Sequence, residues 1–132
     1  MQNTTPEQTA FQTFAQQASA NWDAAFNAKQ PAQVATFYDA AATLQPAGGP
    51  AVNGTAGIER FWQDLFAQGV IDHRIEIDET VSGTEIAVQR GKWSAAAIDG
   101  AGARQTFGGH LLLVYRRQND GGWKILNHIW NL

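Results

Sequence analysis

"IDHRIEIDETV", residues 71–81, is where the hydrophobic period of this chain changes. Ile71, His73, Ile75, Ile77 and Val81 fall on one side of an extended segment, and Asp72, Arg74, Glu76 and Asp78 fall on the other. Successive side chains of a strand point to opposite faces, so this pattern predicts a strand with one dry face and one wet face. Downstream, "EIAVQRGKWSAAAI" (85–98), "RQTFGGHLLLVYRR" (104–117) and "GWKILNHIWNL" (122–132) read as three further strands, separated by the turn sequences "DGAGA" and "QNDGG". The expected product is an antiparallel meander, with Gly108 and Gly109 allowing a bend or bulge in its long strand.

Upstream of residue 71 the period is helical. "TPEQ" at Thr5 to Gln8 fits a capping box with Pro6 in the first turn, and Phe11, Phe14, Ala15, Ala18, Trp22, Ala25 and Phe26 continue as one apolar stripe. This long helix is expected to end near Lys29. Pro31 opens a short second helix whose Val34, Phe37 and Tyr38 face inward. "ATLQPAGGPAVNGT" (42–55) begins as a strand and becomes a loop at its prolines and glycines. Thr55 is then expected to cap a third helix with Ile58, Phe61, Trp62, Leu65 and Phe66 on its apolar face and Gly69 just past its end.

Three helices followed by a run of strands predict an α+β fold, in which a curved antiparallel sheet wraps around the long N-terminal helix and leaves a cavity. With 132 residues, 44% of them hydrophobic and 16% charged, the chain is expected to form one domain over residues 1–132. Both faces of the last two strands are apolar. Leu111, Leu113 and Tyr115 oppose Leu112 and Val114, and strict alternation puts Trp123, Ile125 and Ile129 opposite Leu126, His128 and Trp130. One face meets the helices, and a homodimer through the outer sheet face is the expected cover for the other.

Composition narrows the function. A net charge of -3 offers phosphates no basic field, which disfavours nucleic-acid partners. The absence of cysteine excludes disulfides and thiolate chemistry. The start "MQNTTPEQTAFQTF" has no basic and apolar leader, and no segment has membrane-spanning length, so a cytoplasmic location and no membrane partner are expected. No phosphate-binding glycine loop, metalloprotease helix, nucleophile elbow or calcium loop occurs, and neither a metal nor a cofactor is expected.

What remains for chemistry is a set of polar side chains among aromatics. His110 and His128 sit on strands whose inward faces would bring two imidazoles into one cavity, each able to carry a proton near neutral pH. A single histidine among apolar neighbours is also an ordinary core residue. Arg90 lies mid-strand, where it would clamp a carboxylate if it faces the cavity or pair with a glutamate if it does not. Phe26, Tyr38, Trp62 and Trp130 are candidate walls, since five tryptophans in so small a chain suit a pocket for an organic molecule.

The order of "WDAAFNAKQPAQVATFYDAAATLQPAGGPAVNGTAGIERFW" (22–62), "GKW", "GGHLLLVYRR" and "GGWKILNHIWN" resembles the nuclear transport factor 2-like superfamily, in particular its SnoaL-like, ketosteroid-isomerase-like and DUF4440 groups. The resemblance runs from about Ala15 to Asn131 and implies a cone-shaped α+β fold, a pocket at the wide end and a homodimer. It also implies what has been replaced. In the ketosteroid isomerase pattern, Trp22 stands where an oxyanion-hole tyrosine would be, Gln45 where the general-base aspartate precedes a proline, and His110 close to the second oxyanion donor. An indole can donate a hydrogen bond but cannot act as a phenolic acid, and a glutamine takes no proton at neutral pH. The steroid isomerase mechanism is therefore not expected.

These readings combine into a small-molecule-binding domain with an aromatic cone pocket. It would act as a cofactor-independent lyase or isomerase with His110 or His128 as acid/base, with Trp22 and Gln45 orienting a carbonyl or hydroxyl. The expected ligand is small and apolar, or bears a carboxylate for Arg90. The alternative is a non-enzymatic ligand-binding or oligomerisation module with a vestigial site.

Overall fold

A computed structural model describes residues 5–132. The opening "MQNT", on which part of the leader reading rests, lies outside the described residues. The elements, in chain order, are α1 (Pro6–Asn27), α2 (Pro31–Ala35), β1 (Tyr38–Gln45), β2 (Val52–Asn53), α3 (Thr55–Ala67), β3 (Val70–Ser82), β4 (Ile86–Ile98), β5 (Arg104–Arg117) and β6 (Trp123–Trp130). One curved, unclosed sheet runs in the order β2-β1-β6-β5-β4-β3. All its pairs are antiparallel except β1 with β6. The last strand is thus inserted between the first and the fifth, which places Trp123 and Trp130 within the sheet. Among the described residues no helix is long and apolar enough to cross a membrane.

The long helix begins as its sequence dictates. Thr5 accepts from the Gln8 N–H at 3.1 Å while the Gln8 side chain accepts from the Thr5 N–H at 3.2 Å, closing the capping box. Its stripe packs into the concave side of the sheet. Phe11 meets Tyr115 and Trp123 edge-on at the narrow end, and Trp22 and Phe26 meet Trp62 and Phe66 at the wide end. Each fully buried aromatic contributes about 1.5–3 kcal/mol of burial free energy.

Several local expectations are corrected. The third helix is capped by Gly54 rather than Thr55. Gly54 holds a positive φ of 82° and its N–H is already bound to the Ala42 carbonyl, so the turn closes one residue early. Val52–Asn53, expected within a loop, is a two-residue strand beside β1. Gly108 and Gly109 lie in an unbroken β4–β5 register; they are needed because the backbones of Trp93 and Asn131 approach too closely for a Cβ. Bulges occur elsewhere, within β3 and opposite Val114 and Tyr115 in β6. The first lies beside Asp72, which has a φ of 56°; a further shift near Asp78 leaves Val81 exposed. The β6 bulge changes the phase of the strand, so Ile125 and His128 are both buried on the concave side and Ile129 faces out. Strict alternation along 123–130 had placed Ile125 opposite His128.

Candidate functional site

At the wide end, α1, α3 and the strands β3 to β6 border a cavity of about 310 Å³. Phe26, Phe61, Trp62, Trp93, Phe107 and Trp130 are its aromatic lining, with His73 and His128 among its polar side chains. Trp62 stacks on Trp130 with centroids 5.5 Å apart, and the loop from Pro46 to Gly49 borders the opening. No lysine, arginine, aspartate or glutamate belongs to this wall.

His128 comes from β6, opposite Leu113 of β5, and is 4% exposed. Its Nδ1 lies 2.8 Å from the Tyr38 hydroxyl, which is itself 3.3 Å from the Trp22 indole nitrogen. The proton positions follow from the partners. Trp22 can only donate, so the Tyr38 oxygen accepts from it, and the buried hydroxyl proton finds its acceptor at His128 Nδ1. The imidazole is therefore neutral, with its own proton on Nε2. Burial, aided by the nearby His73, pushes its pKa down to about 3. The same burial raises the Tyr38 phenol well above its ordinary range, so Tyr38 keeps its proton.

His73 is built differently. It sits on the concave side of β3, its ring 4.7 Å from Trp22 and stacked with Trp93. Asp23, one position beyond Trp22 on α1, accepts from His73 Nδ1 at 2.8 Å through one carboxylate oxygen and from the Ile75 N–H at 2.8 Å through the other. Asn27, one helical turn on, bridges the His73 backbone, accepting from its N–H at 2.7 Å and donating to its carbonyl at 3.0 Å. In the neutral ring a carboxylate on Nδ1 holds the proton there, and Nε2 carries the lone pair. No side-chain hydrogen bond engages Nε2 of either histidine among the described residues.

Of the residues singled out from sequence, Phe26, Trp62, His128 and Trp130 line the cavity. Trp22 and Tyr38 stand behind His128 rather than in the wall. Three were misplaced. His110 is exposed on the convex face, paired with Lys92, because Leu111, Leu113 and Tyr115 take the inward positions of β5. Arg90 also faces outward, its guanidinium 3.7 Å from Asp78 and 3.5 Å from Glu79, in exposed pairs worth at most about 1 kcal/mol. Gln45 alternates with the buried Leu44 and spends its amide on the Gly49 carbonyl at 2.9 Å, bracing the loop instead of meeting a ligand. Asp39 is a structural anion: the Arg116 guanidinium holds its carboxyl well below the usual range, and it also accepts from Ala41 and Gln118.

Asp23, Asn27 and His73 were not identified as site residues. Their signal was an Asp and an Asn one helical turn apart beside the apolar stripe, and a lone histidine on the dry side of the strand at 71–81. Among the described residues no group of three or more His, Asp or Glu side chains gathers as metal ligands would.

Comparison with known proteins gives the family and the fold. The SnoaL-like domain model matches residues 20–128. The fold is similar to that of a ketosteroid isomerase-like protein from Erwinia carotovora atroseptica SCRI1043, at 22% identity and a TM-score of 0.77, covering 88% of this chain and 91% of that one. It is similar to a nuclear transport factor 2-like superfamily protein from Salmonella enterica serovar Typhimurium, at 13% identity and a TM-score of 0.80, covering 93% and 91%. A third similar structure, from Xanthomonas campestris, bears a name likening it to a calcium/calmodulin dependent protein kinase II association domain; it is 18% identical, with a TM-score of 0.74 and coverage of 99% and 96%. At these identities the likeness shows the fold alone. No curated protein matches the chain.

Proposed function

The chain belongs to the SnoaL-like domain family, and on that premise we propose that it is a cofactor-independent enzyme moving a proton on a small apolar molecule held in the aromatic cavity. The observation that carries this reading is the His73–Asp23 pair at 2.8 Å facing the same uncharged cavity as His128.

His73 Nε2 takes a proton from a carbon next to the substrate's carbonyl, and the C–H electron pair moves into the carbonyl to form an enolate. Asp23 keeps the imidazole in the productive tautomer and stabilises the imidazolium that forms. His128 Nε2–H donates a hydrogen bond to the oxygen as negative charge develops there. A neutral imidazole suits that task, because a group that protonates only near pH 3 cannot shuttle protons at neutrality but can polarise an oxygen. Return of the proton to another carbon is isomerisation, and expulsion of a leaving group is elimination. The general base is worth about two to four orders of magnitude in rate and the donor about two to three.

Deuterium incorporation into β-tetralone, a compact ketone with acidic C–H bonds, tests the reading. Proton NMR in heavy water should show exchange above the buffer rate, falling about a hundredfold or more in His73→Ala and strongly in Asp23→Asn. Exchange no faster than buffer would overturn it.

The convex face supports a second reading of the same molecule, as a homodimer. Leu112 and Ile129, paired across β5 and β6, are 36% and 45% exposed beside a groove whose ionisable side chains are Arg74, Glu76, Lys92 and His110. A partner copy would cover them.

A further inference from the structure

We infer that the cavity accepts uncharged ring compounds in one orientation only, with a hydrogen-bond acceptor against His128 and a donor or acidic C–H against His73, because networks behind the wall lock the two imidazoles in opposite tautomers. The inference deepens the proposed function and rests on it for the identity of the site, but binding direction and catalysis are separate properties.

Both locks lie outside the space a ligand would fill. Asp23 pins the His73 proton to Nδ1 from the α1 side, with Asn27 fixing the backbone that carries the ring. Tyr38, its oxygen already receiving the Trp22 N–H, presents a proton to His128 Nδ1 and so forces the other tautomer. Reversing either would leave a buried donor without an acceptor or an acceptor without a donor, a penalty of about 1–3 kcal/mol each. The cavity thus carries a lone pair on one side and an N–H on the other, and the two cannot exchange roles.

The wall's composition sets the ligand class. A carboxylate or ammonium would lose its hydration against a surface with no formal charge, since Arg90 points away from it. Aromatic faces from Phe26, Trp62, Trp93 and Trp130 favour a flat or cyclic skeleton. A volume of about 310 Å³, roughly twice the ~150 Å³ of an apolar cavity that takes benzene, suits a bicyclic skeleton.

Two measurements on the intact protein decide the matter. Nitrogen NMR of histidine-labelled protein should report Nδ1–H at His73 and Nε2–H at His128; in Tyr38→Phe the His128 pattern should become mixed while His73 is unchanged. Fluorescence titration should rank β-tetralone about tenfold or more tighter than naphthalene, which lacks the polar handle, and than the anion β-naphthoate. Tyr38→Phe should weaken β-tetralone severalfold and leave naphthalene where it was. Identical tautomers at both histidines, β-naphthoate binding as tightly as β-tetralone, or binding by none of the three probes would overturn the inference. Directional binding with no deuterium exchange would instead sink only the catalytic reading.

Discussion

His73 and His128 are the same side chain given opposite properties by their neighbours. A carboxylate on Nδ1 makes the first an acceptor towards the cavity, and a phenol on Nδ1 makes the second a donor. The second has a consequence for stability. Unfolded, the imidazole titrates near 6.5; folded, it stays neutral down to about 3. Below pH 6.5 the unfolded chain binds a proton that the folded chain does not, so stability falls as the pH drops from 6.5 towards 3, by at most about 1.4 kcal/mol per unit. Denaturant unfolding of His128→Gln should show a flatter profile across that window, and an unchanged slope would contradict the buried neutral imidazole. Asp39 adds a later loss: its depressed carboxyl stabilises the fold above 3.8, and that contribution fades as more acidic conditions protonate it. The histidine window opens first on acidification, which lets the two be separated. Neither histidine's role was legible from its own position, because the partners lie 50 and 90 residues away in sequence.

At the scale of elements, local chemistry was the most readable. The capping box at Thr5, the apolar stripe of α1 and the alternation of β4 and β5 follow from spacing alone, and Thr5→Ala should cost about 1 kcal/mol in an unfolding titration. Phase was less readable. A bulge shifts which residues of a strand face inward without altering its composition, and the one in β6 moved Ile125 to the His128 side. Glycines mark such constraints only once neighbouring strands are placed. Gly109 is tolerated where a Cβ would strike the Asn131 backbone, and the Asn131 side chain in turn accepts from the His110 N–H at 2.8 Å. Gly109→Ala should therefore lower stability by about 1–3 kcal/mol and loosen the segment beside the cavity, seen as faster amide exchange at His110.

At the scale of the whole molecule, the sheet separates two surfaces of different character. The concave side holds the helix and the cavity, while the convex side carries Leu112 and Ile129. If a second copy covers the convex side, light scattering should give twice the chain mass, and Leu112→Lys should give a monomer that still binds β-tetralone. A monomeric wild type would remove the dimer and leave the cavity argument intact. The architecture was determined by sequence, because helical and alternating periods and turn residues are properties of neighbours in the chain. Only the tertiary structure decided which polar groups meet. Sheet curvature, strand phase and the docking of α1 turned His110 and Arg90 outward and brought Asp23 to His73 and Tyr38 to His128. A proton's position on an imidazole depends on partners that only folding brings within hydrogen-bonding distance.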